Sequence, residues 1–520
     1  MSTESPPTLL LDDGGLTLEA LRDWESAPGP AALAAAARAR MDQSVATVQR
    51  MVETDRVSYG INTGFGAFAN RRISAPQLAQ LQYNLVRSHA CGTGTPLARG
   101  LVRRLMLLKA NSLAAGLSGI RPAVVDALLA MLNADVLPLI PGRGSVGASG
   151  DLAPLAHLAL ALIGEGEALQ GTKRLEGAAV MQAAGCVPVQ LEAKEGLALL
   201  NGTQLSTALA IEGLFQAENL LSASVTAGAL SVEGLAGSYT PFDDRIHAAR
   251  RLGSQRTIAA RFRRLLTDSE IHNSHDSCDR VQDPYSVRCM PQVFGAVQAT
   301  LEHARRVLEA EANGVSDNPL VFGDDVLSGG NFHAAPVGFV ADFMAIAVAE
   351  LANLSERRID LLARRVNPNL NMFLTDEPGV ESGFMIAHVT AAALASENKT
   401  LAHPASVDTI PTSAGQEDHV SMAPWAGHKL LAACDNTATV LAIELLAAAH
   451  AIDEQRPFAT TPMLAVVHDR IRARAPFVRG DRRLDRDIAA LATRLRAGDF
   501  DDRQLPAGRP VSDTQGIDFT

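Results

Sequence analysis

Long apolar stretches with helical spacing dominate the chain from about residue 101 onward. Their apolar positions recur every three or four residues, which predicts α-helices, and several stretches are apolar on nearly every face. The helices predicted in this part of the chain are 101–115, 122–133, 151–165, 194–200, 204–235, 291–314, 337–365, 383–401 and 426–452. Because a helix that is apolar all round needs other helices around it, the pattern predicts a bundle of long helices that bury one another.

The first hundred residues follow a mixed pattern. Shorter helices, including one predicted at 77–90, alternate here with polar, glycine-containing loops such as 57–71. We therefore predict a mainly α protein with two regions: a smaller mixed N-terminal region, residues 1–115, and a helical-bundle domain, residues 116–520. The chain carries no fixed-period repeat and no low-complexity segment.

Composition narrows the functional classes. With 520 residues, 47% of them apolar and 20% charged, the chain can bury a large core. The net charge of −11 argues against nucleic acid and anionic membranes as partners. The stretch before Arg22 has no basic residue, so we expect neither a signal nor a transit peptide.

Two further features favour a cytoplasmic protein without a membrane segment. The apolar run 430–452 contains Asp435, Asn436 and Glu444, which favours a buried core helix over a membrane span. The five cysteines are scattered and odd in number, which favours reduced thiols.

A glycine-dense turn ahead of the predicted helix 151–165 contains the tripeptide Ala148-Ser149-Gly150. Small residues leave the backbone free, so the Gly150 nitrogen can approach the carbonyl carbon of Ala148. Ring closure with loss of two waters would turn the Ser149 side chain into a methylidene group. That product would be an electrophile, a chemical type absent from the standard side chains. The alternative is an ordinary turn in which Ser149 or Asp151 caps the helix, and the tripeptide alone leaves both open.

The same turn also matches a nucleotide-binding pattern. Gly142, Gly144 and Gly147 spell G-x-G-x-x-G, which binds dinucleotides when a strand precedes it. Pro138 and Pro141 remove backbone donors from the preceding run, and the segments that follow are helical. We therefore reject nucleotide binding.

A possible metal site is also rejected. His272, His275 and Cys278 have a spacing that could suit zinc or copper. No second cluster completes a set of four ligands, so the sequence predicts no metal.

Polar residues also occur in short breaks between apolar helices. Each has an ordinary explanation as a helix cap, a buried amide or a surface carboxylate, but unusual polar groups in such breaks tend to mark a site. They are Tyr59, His89, Asn201, Tyr285, Phe332 and Glu417.

Six of these segments together resemble the histidine, phenylalanine and tyrosine ammonia-lyase family. In chain order they are YGINTGFG, GSVGASGDLAPLAH, LLNGTQ, QDPYSVRC, SGGNFH and QEDHVSM, and the resemblance extends from Tyr59 to His428. It implies a mostly helical homotetramer in which three subunits form each active site. It also implies a 4-methylidene-imidazol-5-one group (MIO) formed from Ala148, Ser149 and Gly150, with no external cofactor.

The resemblance also implies a role for each candidate residue. Tyr59 would be the base that removes the β-proton of an amino acid substrate, and Arg288 and Asn201 would hold the substrate carboxylate. His89 and Glu417 would receive the substrate side chain. Tyr285, Gln282 and Phe332 would line or support the electrophile.

Elementary chemistry agrees with these roles. A tyrosine normally titrates near 10, so Tyr59 would need a lowered pKa or a positive neighbourhood to act as a base at neutral pH. Arg288 offers a planar fork that matches a carboxylate. Glu417 could accept a hydrogen bond from an imidazole N–H, whereas a phenyl ring would leave this carboxylate unpaired.

The substrate is predicted from two short segments. Ser88-His89 and residues 416–419 are most similar to the histidine-specific branch, which implies conversion of L-histidine to trans-urocanate and ammonia. Tyrosine, as the substrate of a lyase or of a 2,3-aminomutase, stays open because a histidine at position 89 could also bind a phenol. A silent homologue that uses the helical fold only as a scaffold is an alternative of a different class.

Three positions depart from the family pattern. Ala335 stands where a glutamate usually precedes Pro336, Met290 replaces a common glutamine, and Gly415 replaces the usual asparagine. None of them touches the tripeptide or Tyr59, so they bear on substrate choice.

Overall fold

Helices make up most of this computed structural model, which describes residues 7–54, 56–274, 280–364 and 366–506. The chain is 59% helical, which confirms the predicted mainly α class. The α-helices within the described residues are α1 (Leu18–Ser26), α2 (Ala35–Glu53), α3 (Leu78–His89), α4 (Arg99–Ala114), α5 (Pro122–Asn133), α6 (Leu152–Leu162), α7 (Ala178–Ala183), α8 (Glu195–Leu200), α9 (Gln204–Gly234), α10 (Asp244–Arg250), α11 (Gly253–Leu265), α12 (Glu270–Asn273), α13 (Tyr285–Arg288), α14 (Met290–Ala312), α15 (Ala335–Ala363), α16 (Met385–Leu401), α17 (Ala423–Asp453), α18 (Pro462–Arg472) and α19 (Asp485–Arg496).

The predicted helices are present, with ends that differ by a few residues. The largest differences are three residues: α17 begins at Ala423, three residues before the predicted start, and α6 ends at Leu162, three residues before the predicted end. Gly164 follows with a φ of +75°, a left-handed conformation that ends a helix at low cost for glycine. The charged helices α11 and α19 were not predicted, because their apolar stripes are narrow and arginines cover the remaining faces.

Strands are short and form four small sheets in the described part of the chain. They are β1 (Leu9–Leu11), β2 (Ala31–Leu33), β3 (Thr93–Pro96), β4 (Val136–Pro138), β5 (Pro141–Arg143), β6 (Glu167–Gln170), β7 (Lys173–Glu176), β8 (Leu320–Phe322) and β9 (Asp325–Leu327). β1 pairs with β2 in parallel, whereas β3–β5, β4–β6–β7 and β8–β9 are antiparallel.

Two of these strands correct one sequence argument. The two prolines predict no strand at these positions, yet Pro138 ends β4 and Pro141 begins β5. Proline is tolerated at strand ends, where a missing donor costs little. Because both strands are three residues long and pair antiparallel, they do not form the parallel sheet of a dinucleotide-binding fold.

The chain divides into two compact units. Unit 1 comprises residues 1–212, 305–341 and 405–428, and unit 2 comprises residues 213–304, 342–404 and 429–520. In unit 1, α4 is buried along most of its length. In unit 2, Arg358 and Glu444 form a fully buried ion pair, with Nη2–Oε2 at 2.8 Å. The division into residues 1–115 and 116–520 stays a prediction.

Among the residues that the structure describes, two helices, α15 and α17, are long and apolar enough to cross a membrane by length and composition. Their most apolar windows are 67% and 72% buried inside the protein, as expected for core helices. The prediction of a buried core helix at 430–452 agrees with this.

Candidate active site

The turn that carries Ala148-Ser149-Gly150 is tightly folded just before α6. Ala148 and Gly150 form an isolated bridge pair, so the two residues that would close the ring lie opposite each other. Gly150 has a φ of +71°, and a Cβ atom there would come within 2.2 Å of the Gly202 carbonyl oxygen. Only glycine fits this position, and its backbone can approach Ala148 without a side chain in between. The turn therefore fits the backbone cyclisation that the sequence suggested.

The alternative explanation, a helix cap, is not found at Asp151. Its side chain makes no capping hydrogen bond to α6. Instead the carboxylate accepts from the Ser206 backbone N–H at 2.8 Å, from the Ser206 hydroxyl at 3.0 Å and from the Ser145 hydroxyl at 2.9 Å. Its own backbone N–H donates to Gly202 O at 2.7 Å. Asp151 therefore ties the tripeptide turn to the first turn of α9.

Asn201 lies in the break between α8 and α9, as predicted. Its Nδ2 atom donates to the carbonyl oxygen of Ser149 at 2.8 Å. Its Oδ1 atom is buried and has no hydrogen-bond partner among the described residues. The amide is therefore aimed at the tripeptide itself.

Glu417 approaches the same tripeptide from the loop before α17. Its Oε1 accepts from the Ser149 hydroxyl at 2.5 Å, and its Oε2 accepts from Thr412 at 2.6 Å and from Ser413 at 2.9 Å. Burial alone would raise the pKa of this carboxyl, but the three hydroxyl donors and the nearby His89 lower it overall. Glu417 is therefore held ionised.

His89 ends α3, as predicted, and its ring orientation is fixed. Nδ1 lies 2.8 Å from the carbonyl oxygen of Leu85, which can only accept, so Nδ1 carries the hydrogen. Burial lowers the pKa of His89, although Leu85 and Glu417 act in the opposite direction. The ring is therefore neutral at pH 7 and keeps Nε2 as a hydrogen-bond acceptor.

Tyr59 is half-buried, and its environment differs from the expectation. Burial raises the pKa of its hydroxyl, the Gly66 backbone N–H lowers it, and the charge of Glu417 raises it further; the net shift is upward. From the sequence, either a lowered pKa or a positive neighbourhood was expected at this tyrosine. Within unit 1, the described groups that shift this pKa supply no positive charge to lower it.

One large pocket brings these groups together. It has a volume of about 1270 Å³, and its lining includes seven of the eleven predicted site residues. They are Tyr59, His89, Ala148, Ser149, Asn201, Phe332 and Glu417, all in unit 1. Gly150 is adjacent in the chain and buried.

The other three predicted residues belong to unit 2. Tyr285 begins α13 and is 69% exposed, and the guanidinium carbon of Arg288 lies 4.5 Å from the centre of its ring. Arg288 Nε also donates to the carbonyl oxygen of Asp283 at 3.0 Å. Gln282 is exposed. These residues present a cation and a phenol at the surface of this unit.

Sequence reasoning missed Thr412 and Ser413, which hold Glu417 in place. Their signal was weak because a Thr-Ser pair in a loop is common, although its position four and five residues before Glu417 could have drawn attention to it. The rejected metal site involves three residues. His275 and Cys278 lie outside the described residues, and His272 stacks on the ring of Tyr239 with centroids 3.8 Å apart. No group of three or more metal-ligating side chains occurs in the described ranges.

Comparisons with known proteins identify the family. Residues 16–473 match the family model described as aromatic amino acid lyase. The chain is 54% identical over 487 residues to a histidine ammonia-lyase of Paracidovorax citrulli, covering 93% of this chain and 95% of that protein. A crystal structure of histidine ammonia-lyase from Trypanosoma cruzi is 39% identical with a TM-score of 0.87, covering 95% of this chain and 94% of that one. A tyrosine aminomutase structure from Streptomyces globisporus is 34% identical with a TM-score of 0.89, covering 95% and 98%.

Proposed function

The chain belongs to the aromatic amino acid lyase family, and from this premise we propose that it is a histidine ammonia-lyase that converts L-histidine to trans-urocanate and ammonia. It is a carbon–nitrogen lyase by its family and its relatives. Histidine as the substrate is supported by the relatives at 54% identity and by the two acceptors in the pocket, His89 Nε2 and the Glu417 carboxylate.

The observation that carries this proposal is the contact between Glu417 and Ser149. Glu417 Oε1 accepts from the Ser149 hydroxyl, the group that leaves as water if the tripeptide cyclises. Loss of that hydroxyl removes the donor from Oε1, while Thr412 and Ser413 continue to hold Oε2. An ionised acceptor is then directed into the pocket beside the electrophile, where the imidazole N–H of histidine can satisfy it.

We propose that Ala148, Ser149 and Gly150 form the MIO group that is general in this family. When formed, the group supplies an electrophilic methylidene carbon, conjugated with the Ser149 carbonyl, that activates the amino group of the substrate as a leaving group. The residues around it fit this chemistry. Asn201 donates to the Ser149 carbonyl oxygen, and the N-terminus of α6 directs its helix dipole at the tripeptide.

The remaining roles complete the proposal. Tyr59 removes the β-proton, and Arg288 with Asn201 binds the substrate carboxylate. Phe332, Tyr285 and Gln282 line or support the electrophile. Because burial and Glu417 raise the pKa of Tyr59 in this chain, the positive charge that a phenolate base needs would come from the substrate ammonium or from another subunit.

We also propose a homotetramer with shared active sites. A pocket of about 1270 Å³ exceeds the usual size of a small-molecule site, so further residues are needed to close it. Tyr285 is exposed, and apolar side chains are also exposed on α15, α16 and α17, as expected for surfaces that pair between copies. They include Ile346, Ile386, Val389 and Trp425. A cytoplasmic location without nucleic-acid or membrane partners completes this proposal.

Tyrosine is the competing substrate. His89 Nε2 could accept from a phenol, and the fold is shared with a tyrosine aminomutase. Glu417 favours histidine because its ionised carboxylate suits an imidazole N–H, and the 54% identical relatives are histidine ammonia-lyases. Incubation with each amino acid separates the two, and a β-amino acid product would identify an aminomutase.

The decisive experiment combines intact mass with turnover. We expect the wild-type protein to weigh two waters less than its calculated mass and to release urocanate from histidine. Ser149→Ala should fold, keep its full calculated mass and lose activity by several orders of magnitude, because no electrophile can form. Ser26→Ala, at an exposed serine, is the control and should match wild type. Near-normal turnover by Ser149→Ala would refute the proposed mechanism.

A further inference from the structure

Lys109 is a buried lysine in α4 that the proposed mechanism does not use. Its side chain is about 1% exposed, and its Nζ donates to the backbone carbonyl oxygen of Asn201 at 2.6 Å. In the described part of the chain this is the one hydrogen bond of its ammonium group. The nearby buried carboxylate of Asp317 is instead paired with Lys194, at 2.7 Å.

A lysine in this position is costly for the fold. An ammonium group removed from water is unfavourable unless a carboxylate or several acceptors compensate it. The neighbouring positions of α4, including Leu105, Met106 and Leu108, are apolar and fully buried, so an apolar residue would suit the packing better. Lys109 therefore needs an explanation other than helix packing.

The group that Lys109 contacts leads directly to the tripeptide. Asn201 accepts from Lys109 through its backbone carbonyl and donates to the Ser149 carbonyl oxygen through its side chain. Gly202 follows, with a φ of +134° and with its carbonyl oxygen accepting from Asp151 N–H. The Asn201 backbone N–H is held by the Leu197 carbonyl oxygen at 2.8 Å, and because glycine lets the peptide that follows Asn201 rotate, the bond from Lys109 is what fixes the carbonyl of that peptide.

We propose that Lys109 is a positioning residue of this enzyme, whose ammonium group fixes the Asn201 peptide and thereby holds the Asn201 amide on the Ser149 carbonyl oxygen. The inference rests on the proposed function, because it concerns the carbonyl that is conjugated with the electrophile. The Asn201 amide can stabilise negative charge that develops on the Ser149 carbonyl oxygen only if it is held in place.

The charge state of Lys109 is compatible with this role. Burial lowers the pKa of Lys109 to about 8, the charges of Asp317 and Asp151 act in the opposite direction, and Lys194 lowers the pKa further. The group is therefore mostly protonated at pH 7, and its charge strengthens the hydrogen bond to Asn201.

A double-mutant cycle tests whether Lys109 acts through Asn201. Lys109→Met keeps the length of the side chain and removes its donor. We expect kcat to fall about 10-fold or more and KM to rise by a smaller factor, because Arg288 still holds the substrate carboxylate that Asn201 also binds. In an Asn201→Ala background the same change should alter kcat by less than about 2-fold, because the amide it positions is gone. Intact mass should show the loss of two waters in Lys109→Met, so that kcat refers to cyclised protein.

Hydrogen exchange supplies a readout that is independent of activity. The backbone amides of residues 201–203 should exchange faster in Lys109→Met than in wild type. Lys429→Met is the matched control, since Lys429 is another buried lysine, which pairs with Asp342 and does not line the pocket. It should leave both the exchange of residues 201–203 and kcat unchanged. If Lys109→Met does not fold, Lys109→Gln replaces it in the cycle. Glutamine keeps an N–H donor on a shorter side chain, so kcat should fall less than the roughly 10-fold expected for Lys109→Met.

The outcomes separate the two proposals. Additive effects in the cycle, unchanged exchange at residues 201–203, or a Lys109→Met protein that retains its full calculated mass would each overturn the role of Lys109 and leave the lyase assignment intact. A wild-type protein without the loss of two waters and without ammonia release would overturn both.

Discussion

Replacing Glu417 with glutamine tests the selectivity of the pocket most directly. The substitution keeps the size of the side chain and leaves an amide oxygen for Thr412 and Ser413, which hold Oε2 at 2.6 and 2.9 Å. It removes the negative charge that those donors, Ser149 and His89 maintain by lowering the pKa of Glu417. The expected defect therefore lies in recognition of the imidazole rather than in folding.

The magnitude follows from the kind of hydrogen bond that is lost. A bond to a charged acceptor contributes about 1.5–3 kcal/mol, roughly twice the value of a neutral bond. Replacing the charged acceptor with a neutral one should then cost about 1–2 kcal/mol, which corresponds to about a 5- to 30-fold lower kcat/KM for histidine.

The assay follows urocanate absorbance with histidine and the corresponding products with tyrosine and phenylalanine. Asp408→Asn is the control, because it removes the same charge from an exposed residue nearby in the chain that does not line the pocket, and it should change kcat/KM for histidine by less than about 2-fold. The ratio of histidine to tyrosine turnover should fall in Glu417→Gln and not in the control. An unchanged kcat/KM for histidine in Glu417→Gln would refute the assignment of this end of the pocket.

Three other predictions concern the base, the pH dependence of stability and the core. Tyr59→Phe should lose two waters like wild type but turn over histidine about 10²- to 10⁴-fold more slowly, and retention of more than a tenth of the activity would exclude Tyr59 as the base. Burial, with a smaller contribution from the charge of Arg472, lowers the pKa of His450 to about 4, so between pH 6.5 and 4 the unfolded chain binds a proton that the folded chain does not. Stability should therefore fall by about 3 kcal/mol as the pH drops through this window, and thermal melts of His450→Phe should show a shallower fall than wild type. Arg358→Met removes the buried ion-pair partner of Glu444 and should destabilise the protein by about 3–5 kcal/mol. The double variant Arg358→Met/Glu444→Leu should recover most of the melting temperature that the single variant loses. A double variant no more stable than the single one would contradict this.

The helices could be predicted from the sequence where they are apolar on most faces. α9 and α17 were found within a few residues of their ends because only a surrounding bundle can bury such segments. α11 was missed because its arginines dominate the local pattern. Arg261 and Arg264 there pair with Asp502, a partner more than 200 residues away that local periodicity cannot reveal.

The site residues that belong to short sequence motifs could be predicted. Seven predicted residues line one pocket because each motif lies in a break between helices of unit 1. The residues that hold those groups could not be predicted. In the sequence Lys109 is an isolated charge in an apolar helix. Its role can be inferred only from its contact with Asn201, which is 92 positions away in the chain.

The loop that carries Glu417 shows how this chain gives up local stability to place one carboxylate. Ser413, Ala414 and Gly415 have consecutive φ values of +50°, +55° and +85°, a left-handed path that costs about 1–3 kcal/mol at each of the two non-glycine residues. The path folds the loop back on itself, so that Thr412 N–H donates to the carbonyl oxygen of Glu417 at 2.9 Å and two hydroxyls reach its carboxylate. The departure at Gly415 is then conservative, because asparagine and glycine are the residues that best tolerate a positive φ. The strained backbone is compensated by the hydrogen bonds that Thr412 and Ser413 make to Glu417. Such strain is expected where the position of a charge matters more for function than the stability of the loop.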